Sequence, residues 1–532
     1  MKNDKNDPQN RGGERIPHQS EPGAPASFFD TINPPVFFTS GGLLILFLLF
    51  TVLMPDEAIS FCESIKNSIL THFSWFYILS VSLLVFFSLW LALSPYGQLV
   101  LGGDDETPQY SRSSWYAMLF AAGMGIGMVF YGVAEPIAHF RAPPNGTAES
   151  VVALSAALPL TFHNWGFHAW AVYAVIGLSI AYFTYRRGLP LSLRSCFYPI
   201  LGERIHGVLG HSIDILAVFG TLFGLATSLG LGAGSVSAGF HRLLGTPNTV
   251  TMQLIVIGVI TLAATISLVT GVDKGIKILS EANMLIAGLL LIFVFCVGPT
   301  VYILERLVES VGLYFSHFID RSFRLGQPGT TESSWIKGWS VIYWGWWVAW
   351  APFVGMFVAR ISRGRTIKDF ILSVMCVPVA VTFFWFSVFG GTALSPELRP
   401  TMIAAIEQAG GSADAVAIYA LLEQLPFAQI LCVLAVIVVT IFFVSSSDSA
   451  SFVVDMLTSG GHLDPPTWQR VFWATAEGAT AAALLYSGGE RVLIGLKAGV
   501  VSFGLPFCAL MLLMAYALFK ALREEREPKA KR

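Results

Sequence analysis

The chain has 532 residues, of which 54% are hydrophobic and only 12% charged, and its mean hydropathy is +0.65. An average soluble protein carries roughly 25% charged residues, so a soluble globular domain is excluded. The 32 basic and 34 acidic residues leave a net charge of −2, with no basic field for nucleic acid and no acidic tail.

Residues 1–34 are polar, rich in Asn, Asp, Pro and Gly, and lack an apolar core. They are predicted to be a disordered tail and not a signal peptide, whose apolar segment comes within the first residues. Twelve apolar segments follow, at 35–54, 74–94, 115–139, 153–184, 212–237, 250–270, 277–299, 336–359, 369–391, 426–447, 468–487 and 492–519. Each is near the ~20 residues that span a bilayer. The pattern is that of an all-α polytopic membrane protein. The stretch 300–335 is too polar to span. Val301, Leu304, Val308 and Leu313 nevertheless recur at helical spacing and predict an amphipathic surface helix over 301–318. Cys62, Cys196, Cys296, Cys376, Cys432 and Cys508 are scattered singly, so neither a disulfide framework nor a structural zinc site is expected.

Basic residues set the orientation. With the N-terminus inside, 22 of the 32 Lys and Arg fall in cytoplasmic segments, and Lys497 lies within the last helix. Arg186, Arg187, Arg194 and Arg204 form one cluster, and Arg360, Arg363, Arg365 and Lys368 another. Both termini are predicted to be cytoplasmic. Residues 520–532 are predicted to be a short tail, whose six basic residues serve as an anchor.

Function inside a bilayer shows where helices are broken or polar, because lipid makes both costly. Gly123-Met124-Gly125-Ile126-Gly127 is the first such place. Gly123 and Gly127 have the spacing of helix–helix packing, whereas the alternation suits an unwound stretch whose backbone meets ions and substrate. A dinucleotide-binding loop is excluded because no soluble strand or helix flanks the glycines.

Aromatic density is the second. Trp344, Trp347 and Trp350 are spaced by three on one face of one helix, and Trp165, Trp170 and Tyr173 fit one arc of another. Two aromatic faces can form a cage for a cation without hydrogen-bond donors, such as a quaternary ammonium. Interfacial belts and core packing are the alternative, which applies first to Trp335 and Trp339.

Third is Ser445-Ser446-Ser447-Asp448-Ser449. The hydroxyls either bond back to their own helix or supply oxygen ligands to a hard cation. Asp448 and Asp455 mark an ion path or the cytoplasmic end of the helix. His163 and His168 are expected to be packed rather than proton-carrying.

At these residues the chain resembles the betaine/carnitine/choline transporter family. The matching strings are Gly123-Met-Gly-Ile-Gly-Met-Val-Phe-Tyr-Gly-Val-Ala-Glu-Pro136, Trp165-Gly-Phe-His-Ala-Trp-Ala-Val-Tyr173 and Gly271-Val-Asp-Lys-Gly-Ile-Lys277. The run Tyr343–Arg365 and Phe442-Phe-Val-Ser-Ser-Ser-Asp-Ser449 complete it. The resemblance covers roughly residues 30–515 and implies twelve transmembrane helices in a LeuT-like fold of two inverted five-helix repeats. Residues 35–114 would be two extra peripheral helices, 115–299 the first repeat, 300–335 the periplasmic surface helix and loop, and 336–519 the second repeat. The broken helices would fall at Gly123–Gly127 and near Trp350-Ala351-Pro352. A homotrimer using the 301–318 helix is implied, in a bacterial inner membrane.

By the same resemblance, Trp165, Trp170, Tyr173 and Trp347 would form the substrate cage, with Trp350 closing it and Trp346 on the entry path. Sodium, the coupling ion, would bind carbonyls of Ala121, Met124 and Phe442 and hydroxyls of Ser445 and Ser446. Thr221 and Phe353 match a second sodium site, but Leu225 stands where the family has a second threonine. Choline-type members tend to carry Asp at the position of Gly127. Glycine there leaves room, and with Gly125 backbone amides, for a substrate's own carboxylate. Retained Ser445 and Ser446 argue against sodium-independent carnitine exchange, and the short C-terminal tail against osmotic activation.

The expectation is sodium-coupled uptake of the osmoprotectant glycine betaine. Choline, with proton coupling, and dimethylsulfoniopropionate or carnitine are alternatives. No cofactor beyond Na⁺ is expected. No HExxH, GxSxG or clustered His/Asp set supports a membrane enzyme, and no pore-loop or charged-ring pattern supports a channel.

Overall fold

The computed structural model describes residues 31–123, 125–270, 273–410, 413–462, 465–488 and 492–526. Backbone amides and carbonyls have no water to bond in lipid, so long apolar runs close their hydrogen bonds internally as helices. The first are α1 (Pro34–Leu53), α2 (Pro55–His72), α3 (Ser74–Leu93), α4 (Arg112–Gly123), α5 (Ile126–Arg141), α6 (Val151–Trp165), α7 (Phe167–Ala181) and the single turn α8 (Tyr198–Leu201). Next come α9 (Val208–Leu244), α10 (Val250–Thr270), α11 (Asp273–Val297), α12 (Thr300–Ser316), α13 (Phe318–Phe323) and α14 (Thr331–Ile336). The chain continues through α15 (Ile342–Arg360), α16 (Ile367–Ala393), α17 (Arg399–Ala409), α18 (Ala413–Leu422), α19 (Ala428–Thr458), α20 (Thr467–Gly488) and α21 (Val492–Arg526). Among the described residues the only β pairing is an isolated bridge between Val100 and Thr366.

Among the described residues, ten helical runs are long and apolar enough to cross a membrane. The α6–α7 run, α9 and the α14–α15 run are buried almost throughout and form the core, whereas α1, α10 and α11 keep most of their surface exposed. α15 packs on α7, α9 and α21, α5 on α6, α16 and α18, and α19 on α9 and α20.

Several boundaries differ from expectation. Segment 115–139 is two helices, because Gly125 is extended at φ −114°, ψ −163° between α4 and α5. Unwinding, and not uninterrupted helix packing, is what the glycines provide. Met124 lies outside the described residues. Segment 153–184 also breaks, at Gly166. A Cβ there would stand 2.5 Å from Phe162 O and 2.7 Å from the Tyr314 hydroxyl of α12, so only glycine fits the approach. The single arc drawn through Trp165, Trp170 and Tyr173 therefore fails: Trp165 ends α6 and the other two belong to α7. Conversely, no break occurs at Pro352, which lies inside continuous α15. The irregularity falls upstream, in a π turn over Lys337–Val341.

α2 was hidden by its mixed polarity, and α17 and α18 by lying in a loop between apolar segments. α19 extends to Thr458, past the expected end at 447, so Asp448 lies inside the helix while Asp455 falls in its last turn. α21 extends to Arg526, replacing most of the expected tail, and residues 527–532 lie outside the described residues. The expected N-terminal tail lies outside the described residues up to residue 30. Asn33 is fixed where its N–H donates to Thr458 O at 2.8 Å.

The arginine clusters act as clamps. Arg186 pairs with Asp104 at 2.8 Å, donates to Val100 O at 3.2 Å and Gly102 O at 3.0 Å, and contacts Glu525 of α21. Arg365 donates to Tyr110 O at 2.7 Å and stands 4.4 Å over the Trp115 ring. The loop before α4 is thereby tied to the α15–α16 turn and to the end of α21.

Candidate substrate and ion site

The break before α5, the end of α6 and the face of α15 meet in one aromatic cluster. Trp165 lies 4.8 Å from Trp347, 6.3 Å from Trp346 and 5.5 Å from Tyr343, centroid to centroid. Trp346 and Trp347 stack at 5.0 Å, and Tyr131 of α5 stands 6.4 Å from Trp346. Ring faces attract cations within ~6 Å of the centroid. Trp170 and Tyr173 form a separate pair at 5.6 Å, and Trp350 packs on Phe353 at 5.3 Å. Among the described residues no ring contact joins either pair to the Trp165 cluster.

Gly127 lies directly beneath the cluster. A Cβ at that position would stand 2.7 Å from Trp165 Cη2 and 3.1 Å from Trp346 Cη2, so any side chain displaces a ring. At Gly125 the nearest atom would be Trp350 Cη2 at 3.7 Å, an ordinary contact. The indole N–H groups of Trp346 and Trp350 are buried and donate to no acceptor among the described residues. The Trp350 N–H lies against Gly224 of α9, so it is the far edge of that ring, and not its N–H, that stands next to Gly125.

The rings are held by a group that sequence reasoning passed over. Glu135 is fully buried and accepts four hydrogen bonds. Oε2 receives Trp165 Nε1 at 2.7 Å and the Tyr343 hydroxyl at 2.6 Å, and Oε1 receives Asn164 Nδ2 at 2.8 Å. His139 Nε2 also donates to Oε1, at 3.1 Å, because its Nδ1 accepts from Trp335 Nε1 at 3.3 Å. Asn164 extends the network: its carbonyl accepts from Trp347 Nε1 at 2.9 Å and its Oδ1 from the Ser340 hydroxyl at 3.1 Å. One carboxylate thus joins α5, α6 and α15 behind the cluster. A glutamate inside an apolar run was the available signal.

On the opposite side of the break, Gly125 and Phe442 of α19 line a common cavity of about 270 Å³, with Met128, Met284, Leu291 and Trp385. The Ser445 hydroxyl donates back to Phe442 O at 3.2 Å, which places two expected sodium ligands side by side. Ser446 follows on the same helix, and Ala121 lies in α4 before the break. Thr221 bonds back to Ala217 O at 2.9 Å, and Leu225 beside it is buried and apolar. His163 and His168 pack at 4.7 Å, and His168 stacks on Trp344 at 5.0 Å.

The description "BCCT, betaine/carnitine/choline family transporter" matches residues 35–527. The glycine betaine transporter 1 of Vibrio parahaemolyticus is 44% identical over 94% of this chain and 95% of its own. The glycine betaine transporter OpuD of Bacillus subtilis is 42% identical over 90% of this chain and 92% of its own. A second V. parahaemolyticus protein, a glycine betaine/proline/choline/ectoine transporter, is 43% identical over 93% and 88%.

Proposed function

This chain belongs to the betaine/carnitine/choline transporter family, whose members are membrane transporters and not enzymes, and on that premise we propose that it imports glycine betaine coupled to inward sodium flow. The observation that carries the choice of solute is Gly127, whose position under Trp165 and Trp346 leaves no room for a side-chain carboxylate. A purely cationic solute would want that carboxylate. A zwitterion brings its own, which would meet the backbone at Gly125 and Gly127 and the unused indole N–H of Trp346. The trimethylammonium group lies among the Trp165, Trp346 and Trp347 rings, with Trp170 and Tyr173 on the same path. These rings contact one another at 4.8–6.3 Å, so admitting the cation requires them to part.

Sodium would bind between the α4–α5 break and α19, at the carbonyls of Ala121, Met124 and Phe442 and the hydroxyls of Ser445 and Ser446, a placement supported by the cavity that Gly125 shares with Phe442. Filling that site joins the broken segment to α19 and favours the conformation that holds solute. A second ion would have Thr221 and Phe353 as ligands but no side-chain oxygen from Leu225.

Twelve crossings in two inverted five-helix repeats follow if α4 and α5 share one crossing and α20 makes another. Both termini would then lie in the cytoplasm of a bacterial inner-membrane protein. The exposed α12 residues Val301, Leu304 and Val308 would supply the contact of a homotrimer. Choline is the second reading, favoured by the relative whose name includes it.

Uptake of labelled betaine into proteoliposomes, with a sodium gradient or a matched potassium control and unlabelled choline as competitor, tests the proposal. Sodium-dependent uptake that choline barely inhibits is expected. Uptake of choline but not betaine overturns the Gly127 argument, and indifference to sodium overturns the ion site.

A further inference from the structure

The sodium proposal uses Ser445 and Ser446 but none of the acidic groups further along α19. On α19, Ser447, Ser451 and Asp455 recur every fourth residue and lead to Thr458, and on α20 Gln469, Trp473 and Glu477 do the same. All seven are buried, and the two faces meet as a polar seam between α19 and α20. Ser451 donates to Glu477 Oε2 at 2.8 Å and Ser447 to the same oxygen at 3.3 Å. Trp473 Nε1 donates to Thr458 Oγ1 at 3.0 Å, and Gln469 Nε2 to that oxygen at 2.8 Å and to Asp455 O at 3.1 Å.

Those bonds, with that of Thr458 to Val454 O at 2.8 Å, use every side-chain donor of the seam. What is left over is one-sided: Glu477 Oε1, both carboxyl oxygens of Asp455 and Gln469 Oε1 accept no hydrogen bond among the described residues. Four buried acceptors without a donor call for a bound positive charge. The charged groups acting on Glu477 are Asp455 and Asp448, both acidic, while Arg470 acts on Asp455. α1 and α10, which also pack on α20, carry no titratable residue. Those of α9 are His211, Asp214, His241 and Arg242, at its two ends. Those of α2 are Asp56, Glu57, Cys62, Glu63, Lys66 and His72, and Lys497 of α21 interacts with Asp414 and Lys66.

We propose that Glu477 and Asp455 form a proton-binding site, separate from the sodium ligands, that takes one proton from water at the Thr458–Thr467 end of the helix pair. The proton joins a free carboxylate oxygen as an O–H and donates to a neighbouring orphan acceptor, and no other bond changes. A proton suits the seam better than a metal ion, because no group of three His, Cys, Asp or Glu side chains among the described residues is placed to hold one. Glu477 grips α19 through Ser447 and Ser451, directly after Ser445 and Ser446. Loss of the proton puts a second negative charge into the seam and loosens the helix that carries the sodium serines, so an alkaline interior slows transport.

Infrared difference spectroscopy of the purified full-length protein at neutral pH tests the site. A protonated-carboxyl stretch is expected in the parent and is lost in Glu477→Gln or Asp455→Asn. In proteoliposomes the parent's uptake falls as the internal pH is raised, whereas Glu477→Gln keeps uptake and loses that dependence. Identical spectra and pH profiles in parent and both variants overturn the proposal. So does a carboxyl stretch that disappears when sodium is added at fixed pH, which would mean a metal ion. Should Glu477→Gln fail to assemble, Asp455→Asn and the spectrum of the parent still decide. The spectrum does not depend on the solute, so failure of the betaine proposal would appear separately, as a carboxyl stretch without betaine uptake.

Discussion

Replacing Glu135 by Gln removes one acceptor oxygen from a carboxylate that holds four donors and has no access to water. If the new amide faces Oε2's partners, the Tyr343 hydroxyl can turn and accept, but the Trp165 N–H is orphaned. If it faces the other pair, it meets Asn164 Nδ2 and a His139 Nε2 whose proton is fixed by Trp335. Either orientation leaves at least one buried donor unpaired, at about 1–3 kcal/mol. In the empty protein the Trp165 ring can relax to recover part of that cost, and binding must then pull it back. The penalty therefore appears in affinity, as a rise of about 5- to 150-fold in KM for betaine. Vmax should change by less, because Glu135 touches neither solute nor ion. Uptake kinetics in proteoliposomes, with tryptophan-fluorescence titration to obtain Kd, would measure both. A Glu135→Gln protein that assembles normally and keeps the parent's KM and Kd would refute the idea that this carboxylate sets the ring geometry.

Gly127→Asp should lose betaine affinity by roughly the 1–3 kcal/mol that overpacking costs, since its Cβ enters contacts of 2.7 and 3.1 Å. Choline should gain relative to betaine, which competition uptake would show. Ser445→Ala and Ser446→Ala should each raise the sodium concentration for half-maximal uptake about tenfold, equivalent to ~1.4 kcal/mol for one lost ligand. Unchanged sodium curves would remove both residues from the ion site. Arg186→Ala removes the Glu525 pair and the bonds to the Val100 and Gly102 carbonyls, while exposed Asp104 contributes little and Glu525 keeps the Tyr182 hydroxyl. It should cost about 1–2 kcal/mol, read as a lower melting temperature in detergent and faster proteolysis of the end of α21.

The membrane-spanning class and most crossings were legible in the chain itself, because lipid offers backbone groups no partner and so demands long apolar runs. The Gly123–Gly127 irregularity was legible for the same reason, since three alternating glycines make poor helix. Tertiary structure decided the rest. Segment four breaks at Gly166 because Tyr314, far along the chain, occupies the space a side chain would need. Pro352 reads as a breaker, yet α15 runs through it, buried among α7, α9 and α21. Asp448 and Asp455 looked like a helix end because charge is costly in lipid. α19 continues past Asp448 to Thr458 and buries Asp455 in its last turn, where Gln469 of α20 donates to the Asp455 carbonyl. Glu135 stood in plain view in its motif, but its partners at 164, 165 and 343 come together only when α5, α6 and α15 pack. Composition and periodicity determine which surfaces must avoid water. Which donor finds which acceptor depends on contacts between residues distant in sequence, and these exist only once the helices have assembled.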